Sequence, residues 1–242
     1  MRLDRLITAA GGMSRSLAGK AIRAGRVTVN GSAALRPEQK VEENLDLIEL
    51  DGRPLEYRSR RYYLLDKPLG VITAARDPKQ PTVLDLFPPE IRRQWIEPVG
   101  RLDKDTSGLL LLTNDGDFAH RVISPKSGVW KVYEAVVDGI LTAEDVRLFA
   151  EGLCLGDGTL CLPAGLRILT PERGLVTVRE GKYHQVRRML AAVGKPVLEL
   201  RRLSVGGLSL PPDSEPGTWR ELDETEAQLV CASCSNPPLW QE

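Results

Sequence analysis

The sequence predicts an α+β protein in two parts, a small basic module followed by a larger domain with a mixed sheet. Three observations carry this. After residue 61, strand-like and helix-like segments follow one another without strict alternation, the pattern of an α+β fold. The 242 residues, 42% hydrophobic and 27% charged, suffice for a small core and a medium one. Charge is segregated although the formal net charge is zero: residues 1–36 carry seven Arg or Lys against Asp4 alone, and residues 211–242 carry seven acids against Arg220 alone. Such asymmetry is an electrostatic footprint for a polyanion.

In the module, residues 1–51, Ser14 is placed to cap a helix of about ten residues through Arg15, Leu17, Ala18, Ala21 and Ile22, with Gly25 ending it. Arg15, Gly19 and Arg23 fall on one face beside Lys20, and the bare Gly19 would let a phosphate backbone approach. Val27-Thr28-Val29 alternates into Asn30-Gly31, a tight hairpin signal. Residues 52–60, GRPLEYRSR, read as a linker.

The larger domain, 61–230, has strand-like runs at Tyr62–Leu65, Leu109–Thr113, Val132–Val137, Leu175–Arg179 and Val197–Val205. Helix signals lie between them: Asp115 ahead of Phe118–Ile123, a capping box Thr142-x-x-Asp145 before Val146–Ala150, and Tyr183–Ala192 ended by Gly194. Residues 231–242, with Asn236-Pro237-Pro238, read as a flexible tail.

Several function classes fall away. No apolar run approaches the roughly 18 residues of a membrane span, and no basic patch precedes an apolar core as in a secretory signal, so a cytoplasmic protein is expected. Cys154, Cys161, Cys231 and Cys234 are expected to be reduced, and the single Cys231-x-x-Cys234 pair lacks the second ligand pair of a structural zinc site. No Walker-type loop, His-rich cluster or Ser-His-Asp set is present; the histidines are His120 and His184. No surplus apolar stripe suggests an interface, so a monomer is expected.

What remains is Gly100-Arg101-Leu102-Asp103-Lys104-Asp105-Thr106-Ser107-Gly108, a polar turn running into the apolar Leu109–Leu112. An acid at the mouth of a buried strand can be held rigid and ionised, although the same position suits a turn-former or cap. Trp130-Lys131-Val132-Tyr133 puts Lys131 and Tyr133 on one strand face, and the segment from Glu180 to Met189, EGKYHQVRRM, opens a helix dense in donors.

The string RLDRLITAAGGMSRSLAGKAIRAGRVTVNG resembles the S4 RNA-binding domain throughout. That resemblance implies grip on structured RNA through Arg2, Arg5, Ser14, Arg15, Lys20, Arg23, Arg26 and Asn30, by backbone and shape. The segments YYLLDKPLGVITAARDPKQPTVLDLF, GRLDKDTSGLLLLTNDG, KVYEAVV, EGKYHQVRRMLAAVG and PGTWREL, in that order, resemble the pseudouridine synthase family, in the branch typified by RsuA. The spelling Y-H-Q-V at 183–186 is similar to the small-subunit enzymes; large-subunit relatives tend to N-R-Q-V or N-R-E-V.

The resemblance implies a catalytic domain with a mixed, mainly antiparallel sheet flanked by helices, and isomerisation of uridine to pseudouridine in 16S rRNA, in a partly assembled small-subunit particle. It makes Asp103 the nucleophile, Arg187 its ion-pair partner and Tyr133 the residue that stacks on the uracil and moves a proton. The target is flipped from its stack, Arg101 filling the vacated space, Leu102 and Val186 walling the pocket, and Lys131, Lys182, His184 and Gln185 contacting phosphate or base. An internal rearrangement needs no cofactor or metal. Leu160-Cys161-Leu162-Pro163-Ala164 lacks the lysine of some relatives, which puts an RNA contact there in doubt. Two alternatives stay open: a synthase acting on 23S rRNA, and a non-catalytic rRNA-binding assembly factor.

Overall fold

The computed structural model describes every residue except 12, 43–44, 56–59 and 232–242. The chain divides into two compact units, one of Met1–Arg61 with Phe87–Ile96, the other of Tyr62–Leu86 with Glu97–Glu242.

In the smaller unit, helices α1 (Leu3–Gly11) and α2 (Arg15–Arg23) accompany an antiparallel sheet of β1 (Val27–Val29), β2 (Ser32–Ala33), β3 (Ile48–Leu50) and β4 (Arg53–Pro54), ordered β2-β1-β3-β4. Leu3, Leu6 and Ile7, spaced for one helix face, pack with Ala18, Ile22, Val27 and Ile48. Each such fully buried Leu or Ile contributes about 1.5–3 kcal/mol. Ser14 Oγ accepts the Leu17 N–H at 3.3 Å, and Gly25 follows at φ +72°, as the sequence predicts. Asn30 and Gly31 both have positive φ, the two-residue turn that matches strand twist. The segment Phe87–Ile96, with the short helix α3 (Pro89–Arg92), groups with this unit.

Two expectations need correction here. Gly19 is buried rather than bare on an open face, although a methyl group added there would make only ordinary contacts, with the Arg23 guanidinium at 3.7 Å and Pro37 at 3.8 Å. Residues 53–54 are not linker: Glu49 pairs with Pro54 and Leu50 with Arg53, so the small sheet continues beyond Asp51. Cys234, Asn236-Pro237-Pro238 and residues 56–59 of the expected linker lie outside the described residues.

The larger unit is built on a nine-stranded sheet. It comprises β5 (Tyr62–Lys67), β6 (Glu97–Pro98), β7 (Ser107–Thr113), β8 (Lys131–Val137), β9 (Gly165–Thr170), β10 (Arg173–Val178), β11 (Val197–Val205), β12 (Leu208–Ser209) and β13 (Trp219–Leu222). The main order is β13-β5-β7-β11-β8-β10-β9, antiparallel except where β7 and β11 run parallel at the centre. The helices are α4 (Gly116–Ile123), capped by Asp115, α5 (Ala143–Glu151), begun by the Thr142–Asp145 capping box, α6 (Gln185–Ala192) and α7 (Glu224–Cys231).

Two apolar cores lie within this unit. Phe118 and Val122 of α4 and Ala227 and Val230 of α7 pack on Leu64, Leu109, Leu111 and Val205. Phe149 of α5 and Val186, Met189 and Leu190 of α6 pack on Ala135, Val137, Val176 and Leu200. The parallel pair β7–β11 runs between them, and the register Arg202↔Gly108 brings the two backbones so close that a methyl on Gly108 would sit 2.2 Å from the Arg202 carbonyl oxygen. Gly108, at φ +100°, is therefore required. Among the described residues no helix is long and apolar enough to cross a membrane, and no three His, Cys, Asp or Glu side chains could hold a metal ion.

Candidate active site

A cavity of about 510 Å³ opens between the two cores of the larger unit. Leu111, Val122 and Val205 line it from one core and Val178, Val186 and Leu200 from the other. Of its polar lining, Arg101 and Tyr183 are exposed, Asp103, Lys131, Tyr133 and His184 half-buried, and Arg202 buried.

Asp103 lies in the loop before β7, which is anchored at three points. Thr73 Oγ1 donates to the Leu102 carbonyl at 2.7 Å and accepts the Leu102 N–H at 3.2 Å. The wholly buried Lys67, at the end of β5, donates through Nζ to the carbonyls of Pro68, Asp103 and Thr106 at 3.0, 3.0 and 2.8 Å. The Thr106 N–H closes a turn onto the Asp103 carbonyl at 3.1 Å. Each bond contributes on the order of 1 kcal/mol, and together they fix the backbone while leaving the carboxylate to face the cavity. Burial pushes Lys67 down from 10.5 to about 8, opposed by Asp103 and Asp105 and reinforced by Arg202.

The expected Asp103–Arg187 ion pair is not formed. Asp103 Oδ1 faces His184 Nε2 at 3.2 Å. Arg187, on the first turn of α6, instead gives Nη2 to both the carboxylate and the carbonyl of Asp105 at 2.9 Å, and Nη1 to the Val197 carbonyl at 3.4 Å. The second aspartate of the motif offers Arg187 a carboxylate and a backbone acceptor together, which a single contact with Asp103 would not. His184 precedes α6 in the left-handed conformation, φ +47°, uncommon for a residue with a side chain and often found at functional sites.

Tyr133, on β8, lines the cavity. Arg202 supports it from the neighbouring β11: the guanidinium lies 5.9 Å from the ring centre, Nη1 is 3.5 Å from the phenolic oxygen, and Nε donates to the Leu109 carbonyl at 2.7 Å. Lys131 lies on the same strand face, its Nζ donating to the Val129 carbonyl at 2.9 Å, and burial, aided by Arg202, pushes it down to about 8. Leu102 and Val186 are buried walls, and Arg101 is exposed at the rim.

Lys182 and Gln185 have partners inside the protein. Although both border the cavity, their polar atoms are engaged on the buried Glu180. The Lys182 ammonium pairs with that carboxylate, Gln185 Nε2 donates to it at 2.7 Å, and Gln185 Oε1 accepts the Lys182 N–H at 3.0 Å. A buried carboxylate without such donors would be costly, so this knot shapes the entry to α6.

Sequence reasoning gave no role to Lys67, Thr73, Glu180, Tyr183 or Arg202. One signal was present: the adjacent charges Asp66-Lys67 and Arg201-Arg202 sit in or beside strand-like segments, where a buried charge is rare unless partnered.

In the smaller unit several of the expected RNA-binding residues have internal partners. Arg2 and Arg15 both bond Asp4; burial works against that carboxylate, but the two arginines hold it below its usual range. Arg26 makes a two-pronged pair with Asp51, and Asn30 bonds Asp46 and the Leu47 N–H. Arg5, Lys20 and Arg23 are exposed.

Residues 1–47 match the S4 domain, and residues 61–153 match the RNA pseudouridylate synthase family. The chain is 42% identical over 234 residues to an uncharacterised RNA pseudouridine synthase of Bacillus subtilis, YtzG, covering 95% of this chain and 98% of that one. It is 40% identical over 233 residues to ribosomal small subunit pseudouridine synthase A of Escherichia coli, covering 95% and 100%. A crystal structure of a pseudouridylate synthase shares the fold with a TM-score of 0.67 at 34% identity, over 95% of this chain and 99% of that one. An S4 module ahead of this catalytic fold defines the class, an RNA-modifying isomerase. The chain belongs to the pseudouridine synthase family, in the RsuA branch.

Proposed function

We propose that this protein converts one uridine of 16S ribosomal RNA to pseudouridine, with Asp103 as the nucleophile. The observation that carries the reading is the setting of Asp103: a carboxylate on a loop pinned by Lys67 and Thr73, facing a cavity large enough for one flipped nucleoside. A carboxylate there can attack C1′ and displace uracil as the N1–C1′ bond breaks; the uracil, turned in the cavity, then attacks C1′ through C5 and expels the carboxylate, with C5 losing its proton and N1 gaining one. Tyr133 offers a ring for the uracil and a hydroxyl for proton movement. Apolar walls from both cores limit water, which would otherwise hydrolyse the ribose–carboxylate bond and release the base. The small unit supplies phosphate contacts through Arg5, Lys20 and Arg23.

Likeness to the Escherichia coli small-subunit enzyme favours 16S over 23S rRNA. The test is pseudouridine mapping, by carbodiimide-dependent reverse-transcription stops, on 16S and 23S transcripts and on 30S particles treated with wild-type protein or Asp103→Asn. One new stop in 16S RNA that the variant abolishes is expected. A stop in 23S RNA instead would refute the substrate, and salt-sensitive binding with no stop anywhere would replace the enzyme with an assembly factor.

A further inference from the structure

Tyr183 borders the cavity mouth and is 71% exposed, yet its ring is not loose. It lies parallel to the His184 imidazole, with ring centres 3.9 Å apart and an interplanar angle of 18°. His184 in turn meets Asp103 at 3.2 Å, so carboxylate, imidazole and phenol ring stand in succession from the reacting group outward. The His184 backbone adopts its left-handed conformation at the head of α6, and the Glu180–Lys182–Gln185 knot holds the approach to it. The Tyr183 carbonyl accepts from Arg188 Nη1 at 3.3 Å. One face of Tyr183 is covered by a ring and the rest of its surface is open to solvent. An ordered aromatic with that geometry at the edge of a nucleoside-sized cavity is a surface on which a base can continue the stack.

We propose that Tyr183 is the outer layer of a stacking shelf, founded on His184, that receives the nucleobase adjoining the flipped uridine. The inference rests on the function proposed above and extends it to a second nucleotide. Extruding a uridine breaks its stacking with both neighbours, and a protein ring offered to one neighbour compensates for part of that loss. Stacking tolerates any base, so the shelf contributes affinity and register, while the cavity selects the uridine. His184 joins the two roles: one of its faces supports the shelf and its Nε2 meets the nucleophile.

The experiment measures RNA binding and single-turnover kinetics on a 16S fragment that wild-type protein binds, for wild type, Tyr183→Ala and Tyr183→Phe. The RNAs are the intact strand and strands with an abasic nucleotide 5′ or 3′ of the target. Tyr183→Ala is expected to weaken binding about tenfold or more with the bound-state rate within about threefold, and Tyr183→Phe to restore wild-type behaviour. One abasic strand should weaken wild-type binding to a similar degree yet leave Tyr183→Ala unaffected, because the two changes delete the same contact. Wild-type affinity in Tyr183→Ala, an equal loss in Tyr183→Phe, or additive effects of the variant and both abasic strands would overturn the shelf. The binding arm needs no turnover, so wild-type protein that binds but makes no pseudouridine refutes the proposed reaction while the shelf is still judged on affinity.

Discussion

Asp103 Oδ1 stands 3.2 Å from His184 Nε2, while the Arg187 guanidinium is held at the far end of the same loop by Asp105. The carboxylate thus meets an imidazole beside a cavity. Replacing it should separate chemistry from grip. Asp103→Asn is expected to reduce turnover on the order of 10⁴-fold or more, the scale of losing a covalent nucleophile, with RNA affinity within about twofold. Filter binding beside single-turnover assays checks this.

Arg187 acts on the loop through two acceptors of one residue. Asp105→Asn removes the charge and keeps the carbonyl bond, so its effect on stability should stay below about 1 kcal/mol, as for exposed pairs. Arg187→Ala should be the more harmful to kcat, because the Asp105 and Val197 carbonyls both lose a donor. A double-mutant cycle in which the two changes simply add would refute this coupling.

Lys67 is enclosed as a cation with three carbonyl acceptors, and burial brings it to about 8 from 10.5. Between those values the native state sheds a proton that the unfolded chain keeps, so this group's contribution to stability rises with pH in that window. Lys67→Met should cost about 2–4 kcal/mol near neutrality, by stranding the three carbonyls, and should lack that rise. Denaturant melts at pH 7, 8, 9 and 10 would show it.

Gly108→Ala should be among the most damaging single changes in the larger unit. The added methyl meets backbone rather than a movable side chain, and φ is +100°. A loss of about 3–4 kcal/mol or more is expected, measured by chemical denaturation. Gly25→Ala, with nothing within 4 Å of the added methyl, should cost less.

In the smaller unit, Lys20→Ala with Arg23→Ala should lower the slope of log affinity against log salt by about 1 to 2, weakening all RNAs alike. Arg26→Ala, whose side chain is already paired with Asp51, should move the slope less. Titrations across several salt concentrations distinguish the two.

Elements with local signals were legible in the sequence. The Ser14 and Thr142 caps, the Asn30-Gly31 turn and the apolar run Leu109–Leu112 of β7 each depend on residues close in the chain, and each occurs where expected. The first helix carried its signal in Leu3, Leu6 and Ile7 but was passed over among scattered charges. Strand β9, whose outer half is exposed, and the four-residue β13 had too little apolar pattern to declare themselves. At the site, residue types were readable and pairings were not. Which aspartate Arg187 meets depends on how α6 and a loop some eighty positions earlier lie in space. Gln185 reads as a free donor until the buried Glu180 beside it is seen.

The central slot of the sheet has a consequence in time. β11 lies between β7 and β8 although both are made well before it, and its backbone is the surface against which Gly108 closes. During synthesis the nucleophile's loop therefore emerges long before the strand that completes its setting, and Arg202, behind Tyr133, arrives on that same late strand. A nascent chain stopped short of Val197 has the Asp103 loop with β7, and Tyr133 on β8, but not the strand that lies between β7 and β8. The setting of Asp103 is therefore complete only once Val197–Val205 has been added, about ninety positions after the loop itself.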